Sequence, residues 1–247
     1  MKAATLSVVL LTHTPKPEKV VAAAARLCYA PIGAADLIEE MAHEEVVSLL
    51  KTILKSGHLS VCEHAYFTFA IEGISRACSH QLVRHRVASY SQQSQRYVKL
   101  SKPPMVIPPA ITARPELAAD FIASTESAYA DYQDLLKAGL EAEDARYLLP
   151  QAVETKIVVT MNARELLHFF TLRTCERAQW EIRGLAESML KLVLPLAPTI
   201  FARVGPACVR GRCPEGKFYC KKPRKLTPEG LIEIEEKDWV YRGGVKT

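Results

Sequence analysis

Three short runs of strand character, residues 6–11, 65–71 and 155–161, are set between much longer stretches of helical periodicity. That order restricts the chain to a mixed α and β fold, with the sheet order left open. Pro17 opens a first helix over about 18–27. A second is expected over 35–55, with Leu37, Ile38, Met41, Val46, Val47, Leu50 and Ile53 on its apolar positions and Gly57 as its stop. Ser75 is placed to cap a helix that carries Gln81, Arg84 and His85. Further helices are expected over 116–137, 142–149, 163–171 and 177–194, with Gly139, Pro150 and Pro195 as stops. Residues 1–204 thus read as one domain. Residues 205–247, rich in Gly, Pro, Lys and Arg, read as an extension of unknown role.

No apolar run reaches the roughly 18 residues that a membrane helix needs. The apolar stretch at 6–11 is too short for a signal peptide and lacks a clear cleavage site, so a cytoplasmic location is expected. Seven cysteines in 247 residues do not suggest a small disulfide-stapled fold. Cys28, Cys62, Cys78 and Cys175 are expected to be reduced and mostly buried. Cys208, Cys213 and Cys220 have the spacing C-x4-C-x6-C, which is not the paired C-x2-C of a zinc ribbon. With no fourth ligand nearby, no metal is expected.

The formal net charge is +5. Residues 73–115 contain no Asp or Glu, yet hold Arg76, Arg84, Arg86, Arg96, Lys99, Lys102 and Arg114 with His80 and His85. Such a stretch points to an anionic partner. Within it, residues 84–97 combine three arginines with serines and glutamines. Arginine forks match phosphate oxygens, and hydroxyls and amides read the edge of a small polar ring. A phosphorylated or nucleotide ligand satisfies this composition. A solvated basic loop, or a non-catalytic surface for nucleic-acid backbone, satisfies it as well. The absence of lysine from 84–97, and of repeated basic-aromatic pairs, counts against both of these.

The segment resembles the signature of the flavin-dependent thymidylate synthases, Arg-His-Arg followed by seven variable residues and Ser: Arg84, His85, Arg86 and Ser94 match. Ser89 and Arg96 match its extended form, Ser91 stands where many members have Asn, and Gln92 where many have Glu. Gly57-His58 with Glu63-His64 resembles the flavin-contacting block of that family. Ala145-Arg146 with Leu149-Pro150 resembles its phosphate-binding helix. Asn162, Arg164, His168, Leu172-Arg173 and residues 178–182 resemble its C-terminal core. The similarity covers roughly residues 5–200.

The resemblance implies an α+β fold, a mixed sheet packed with long helices. It implies reductive methylation of dUMP to dTMP, with 5,10-methylenetetrahydrofolate as carbon donor and FAD, reduced by NADPH, as hydride source. It also implies a homotetramer whose active sites are shared between subunits, and no membrane partner. On this basis Gln81, Arg84, Gln92, Ser94, Arg96, Arg146 and Arg173 bind dUMP. His58, Ser60, Glu63, Arg84, His85, Arg86, Gln92, Asn162, Arg164 and His168 hold FAD. Arg173, at the uracil ring, is the catalytic residue.

The residues themselves admit plainer roles. Arg146 suits a surface charge near a helix C-terminus. Arg173 follows an apolar stretch and could pair with Glu176 or Glu181. Asn162 could be an N-cap. Ser94 has no evident base beside it and is assigned to nucleotide binding rather than nucleophilic attack. No Rossmann glycine fingerprint is present, so FAD must be held in another way.

Overall fold

The computed structural model describes residues 2–235. In chain order the elements are β1 (Ser7–His13), α1 (Pro17–Arg26), α2 (Ala34–Glu40), α3 (His43–Ser56), β2 (Tyr66–Ser75), α4 (Arg76–Leu82), β3 (Ala88–Gln92), α5 (Pro109–Thr112), α6 (Pro115–Lys137), α7 (Ala142–Ala145), β4 (Glu154–Asn162), α8 (Ala163–Arg173), α9 (Trp180–Val193), α10 (Ala207–Arg210), β5 (Arg224–Thr227) and β6 (Gly230–Glu233). One sheet has the order β1-β2-β4-β3, and β5 and β6 form an antiparallel hairpin. This is the expected α+β class. No helix among the described residues is long and apolar enough to cross a membrane.

The chain gathers into two compact units. The first holds the residues up to Val8, with Ala70–Arg84 and Tyr90–Val159. The second holds Val9–Phe69, His85–Ser89 and the residues from Thr160 on. In the first, Ile71, Ile74, Leu82, Met105, Tyr132 and Val159 are fully buried or nearly so. The second packs Leu50, Phe67, Phe169, Phe170, Leu185 and Phe201 in the same way.

Local signals set most helix ends. Pro17 occupies the first helical position of α1. Ser75 Oγ accepts the Cys78 N–H at 3.0 Å at the start of α4, and Asn162 Oδ1 accepts the Glu165 N–H at 2.9 Å at the start of α8. Gly57, at φ 78°, closes α3 in the left-handed conformation. Gln179 caps α9, which therefore begins at Trp180 rather than at 177.

Three further expectations change. The helix over 35–55 is two helices, α2 and α3, separated by extended Met41 and Ala42. The five-residue step from Met41 to Val46 breaks the three-four rhythm, so one straight helix could not bury both sets. Arg84 and His85 lie beyond α4, which stops at Leu82. The Tyr90 hydroxyl donates to the Leu82 carbonyl at 2.9 Å and satisfies one of the carbonyls the helix end leaves unpaired. Finally, 88–92 is a strand that the sequence pattern did not announce. Beyond Gly205, the described part contains α10 and the β5–β6 hairpin. Arg224 anchors that hairpin through the Thr174 carbonyl at 3.0 Å and the Glu187 carboxylate. Residues 236–247 of the expected extension lie outside the described residues.

One glycine is dictated by space. Gly73, in β2, has φ 74°, and a Cβ there would fall 1.9 Å from the Thr5 carbonyl oxygen. Both the left-handed backbone and the close approach exclude a side chain. Gly73→Ala is therefore expected to lower unfolding stability by roughly 3 kcal/mol. Thermal or urea denaturation checks it, and a change under 1 kcal/mol would contradict the close approach.

Candidate functional site

Each unit carries a cavity, and the two differ in chemistry. The cavity of the first unit encloses about 440 Å³ and is lined by Arg76, His80, Gln95, Arg146, Tyr147 and Gln151 among others. No carboxylate among the described residues lines it. Arg146 stands just after α7, where its Nε donates to the Glu143 carbonyl at 3.0 Å. That bond fixes the stem and leaves the two terminal nitrogens to reach a ligand. Arg76 opens α4 and donates from Nη1 to Thr155 Oγ1 at 3.4 Å. Burial lowers the pKa of Arg76, and the charge of Arg146 lowers it further. Two guanidiniums that repel each other in a cavity without acids form a site for an anion, which relieves the repulsion and is bound by charge-assisted hydrogen bonds.

The other nucleotide candidates of the first unit surround this cavity in sequence rather than lining it. Gln95, between Ser94 and Arg96, is the member of that loop in the wall. Arg96 is exposed and donates from Nε to Glu143 at 2.6 Å, and that bond raises its pKa. Ser94 Oγ accepts the Arg96 backbone N–H at 3.1 Å. Gln92 donates from Nε2 to both Ser79 Oγ and Thr155 Oγ1 at 3.0 Å. It thus ties β3 to α4 and β4. Gln81 is half-buried near the end of α4, and Arg84 is exposed after it.

The cavity of the second unit is larger, about 1120 Å³. Its cations are Lys51, Lys55, Arg164, Arg203 and Arg210, against Glu63 and Glu165 as acids. Leu54, Leu59, Leu167 and Ile200 give it apolar walls. A surplus of cations over an apolar floor suits a ligand with an anionic part and a flat apolar part. Of the flavin candidates, Glu63, Asn162, Arg164 and His168 line it. Arg164, at the first turn of α8, donates to Glu63, which pairs two of these candidates. His58 and Ser60 flank the lining residue Leu59, and Arg86 precedes the lining residue Val87. Asn162 serves as the α8 cap and also lines the cavity, so its two roles coexist. Arg84 and Gln92, assigned to both ligands, belong to the first unit.

His85 is 4% exposed and Glu165 7% exposed. His85 Nδ1 lies 2.9 Å from Glu165 Oε1, and Arg173 Nε donates to His85 Nε2 at 3.0 Å. Burial chiefly, and then the charges of Arg173 and His168, hold the His85 pKa below its usual value, while Glu165 pulls it up. Arg173 thus meets a ring nitrogen, beside the acids Glu176 and Glu181 that its sequence neighbourhood offered. Glu176 pairs with Arg183 at 2.6 Å.

Sequence reasoning missed Arg76 as a wall residue, along with Lys51, Lys55, Glu165, Arg203 and Arg210. Lys51 and Lys55 carried a signal, since i and i+4 share one face of α3. Arg76 carried only its place in the acid-free stretch, and Glu165, Arg203 and Arg210 had no signal.

Among the cysteines, Cys28 is exposed, contrary to expectation, while Cys62 and Cys78 are buried. Burial pushes the Cys62 thiol up to about 11, so it is a poor nucleophile. The fold brings Cys175 near the C-terminal group. Arg177 donates to the Phe218 carbonyl at 2.9 Å, and the Arg224 N–H donates to Cys208 Sγ at 3.4 Å. No three His, Cys, Asp or Glu side chains among the described residues are arranged to hold a metal ion.

Comparison with known proteins places these cavities in context. The family model described as thymidylate synthase complementing protein matches residues 9–199. The flavin-dependent thymidylate synthase of Geobacter sulfurreducens is 55% identical over 223 residues, covering 90% of this chain and 96% of that protein. The flavin-dependent thymidylate synthase of Clostridium tetani is 47% identical over 237 residues, covering 90% and 95%. Among solved structures, the UMP/dUMP methylase PolB of Streptomyces cacaoi, crystallised with 5-Br dUMP, superposes with a TM-score of 0.75. It is 25% identical and the match covers 83% of this chain and 98% of that one.

Proposed function

The chain belongs to the flavin-dependent thymidylate synthases, and we propose that its two cavities divide the work of that reaction between nucleotide and flavin. It is an FAD-dependent methyltransferase that converts dUMP to dTMP. In this proposal 5,10-methylenetetrahydrofolate supplies the carbon and NADPH the electrons. The observation that carries the division is the contrast between the small acid-free cavity with Arg76 and Arg146 and the large one with a cationic rim and apolar walls.

The larger cavity fits FAD by its donor set. Lys51, Lys55, Arg164, Arg203 and Arg210 suit a pyrophosphate, and Leu54, Leu167 and Ile200 suit a flat ring system. Bound FAD, once reduced, supplies the hydride. Arg164 and His168 would orient it, with Asn162 fixing the start of the helix that carries them. His58, Ser60, Glu63 and Arg86 would complete its surroundings.

In the smaller cavity Arg146 and Arg76 would bind the dUMP phosphate, with Ser94, Gln95 and Arg96 on the loop beside it. Gln81, Arg84 and Gln92 would meet the nucleotide from the α4–β3 region. Arg173 belongs to the second unit, and its proposed role, carried by the family resemblance, is to stabilise negative charge that develops on the uracil carbonyl during methyl transfer. The amide of Gln92 offers hydrogen bonds but no charge, so it cannot act as a base there.

A homotetramer is consistent with the exposed strands of the second unit. Val9 and Leu11 of β1 are 53% and 54% exposed and Tyr66 of β2 is 49% exposed, apolar side chains suited to burial against another copy.

The test is the visible spectrum of the purified protein, followed by NADPH oxidation with and without dUMP. A flavin spectrum, with oxidation that accelerates when dUMP is added, is expected. A colourless protein that neither takes up FAD nor oxidises NADPH would overturn the proposal. Tight, salt-dependent binding to long nucleic acid would then favour the binding-protein alternative.

A further inference from the structure

We propose that Glu165 is a positioning residue for Arg173 and that it acts through the imidazole of His85. The proposal rests on the reading of Arg173 as the uracil contact and adds a residue that the family signature did not supply.

The argument begins at Arg173. A guanidinium has donors only, so when Arg173 Nε approaches His85 Nε2 at 3.0 Å, Nε2 must accept. An accepting ring nitrogen carries no proton. The ring is therefore neutral, its proton sits on Nδ1, and Nδ1 donates to Glu165 Oε1 at 2.9 Å. Glu165 thereby selects the tautomer that lets His85 hold the arginine. Without that carboxylate, the ring could place its proton on Nε2 and turn an N–H toward an N–H.

The surroundings hold this chain of bonds in place. Glu165 sits in the first turn of α8 and Arg173 at its last residue, about 12 Å apart along the helix axis at 1.5 Å per residue. The imidazole bridges the interval. Phe169, from the same helix, meets the ring edge-on with centroids 4.8 Å apart. The Asn162 cap fixes the backbone of Glu165. Because only Nε of Arg173 is used for anchoring, its terminal nitrogens remain to face the substrate. Glu165, Arg173 and His168 are among the charged and titratable groups acting on the ring. Protonating His85 would destroy the acceptor and release Arg173.

The experiment compares Glu165→Leu with Glu165→Gln. Leucine removes the acceptor. It should lower the kcat for dTMP formation, counted per bound FAD because Glu165 also lines the flavin cavity, about 20-fold with the KM for dUMP little changed. Glutamine can still accept through Oε1 and should restore most of the rate. The pH profile supplies a second readout. In the parent enzyme kcat should fall as the pH drops through the His85 pKa, below its usual 6.5. Removing the carboxylate that raises this pKa should move the acid limb of Glu165→Gln to lower pH. Equal losses in both variants with an unshifted profile would reduce Glu165 to a structural residue and overturn the proposal. Nitrogen-15 spectra of histidine-labelled parent protein read the tautomer directly, without turnover and without a variant that must fold. A protonated Nδ1 and unprotonated Nε2 are expected for His85, and the opposite pattern would overturn the proposal. If the tautomer is as expected but Arg173→Ala keeps its turnover, the uracil reading fails and the positioning network stands.

Discussion

Arg173→Ala should leave FAD bound and reduce dTMP formation about 10³-fold. A donor aimed at a developing oxyanion in a site shielded from water is worth up to about 4 kcal/mol in the transition state, and Arg173 adds a full charge. The flavin cavity lining does not include Arg173, so flavin content should be near that of the parent. The change leaves no orphaned acid either, because Glu165 keeps its bond to His85. The loss should fall in kcat more than in the KM for dUMP, since the carbonyl is least negative in the ground state. Arg173→Lys is the informative control. Lysine keeps the charge but lacks the Nε–H that His85 holds, so it should recover only part of the rate. Chromatographic measurement of dTMP, with the flavin-to-protein ratio read from the spectrum, decides the matter. Near-normal turnover in Arg173→Ala would remove the residue from the chemistry.

What could be read beforehand was what neighbours in sequence determine. The caps at Ser75 and Asn162, the proline at the start of α1 and Gly57 at the end of α3 act within a few residues, and all four are where the pattern put them. Strand β3 was not legible. Its residues, Ala-Ser-Tyr-Ser-Gln, lack a buried alternating face. It is held instead by long-range bonds from Gln92 to Thr155 and from the Gln93 N–H to the Lys156 carbonyl. The break between α2 and α3 was visible only as a five-residue step in an otherwise regular stripe. In the site, residues next to a motif could be named, but residues that enter it through packing could not. Glu165 looked like one more acid in a helical first turn, where the dipole favours it. Only the fold shows that it faces His85, and only the bond from Arg173 shows which ring nitrogen carries the proton. Arg76 counted merely as part of a basic stretch until the fold put it beside Arg146.

That last pairing yields the second large effect. Arg146→Ala should raise the KM for dUMP about 50-fold and change kcat much less. Charge-assisted bonds to a phosphate are worth about 1.5–3 kcal/mol each, or roughly 10- to 100-fold. Arg146→Glu should do more damage, several hundredfold, because an acid would enter a cavity that has none and repel the ligand. The cavity explains why Arg76 cannot simply compensate. Burial and the charge of Arg146 lower its pKa, and an anion shared with Arg146 relieves the repulsion between the two guanidiniums. Arg76→Ala should therefore raise the KM as well, and the double variant should lose less than the product of the two single losses. Deoxyuridine separates phosphate recognition from general damage. Lacking the phosphate, it should react poorly but at similar kcat/KM in the parent and in Arg146→Ala. If the variant discriminates between dUMP and deoxyuridine as strongly as the parent does, the phosphate is held elsewhere and the acid-free cavity serves another anion.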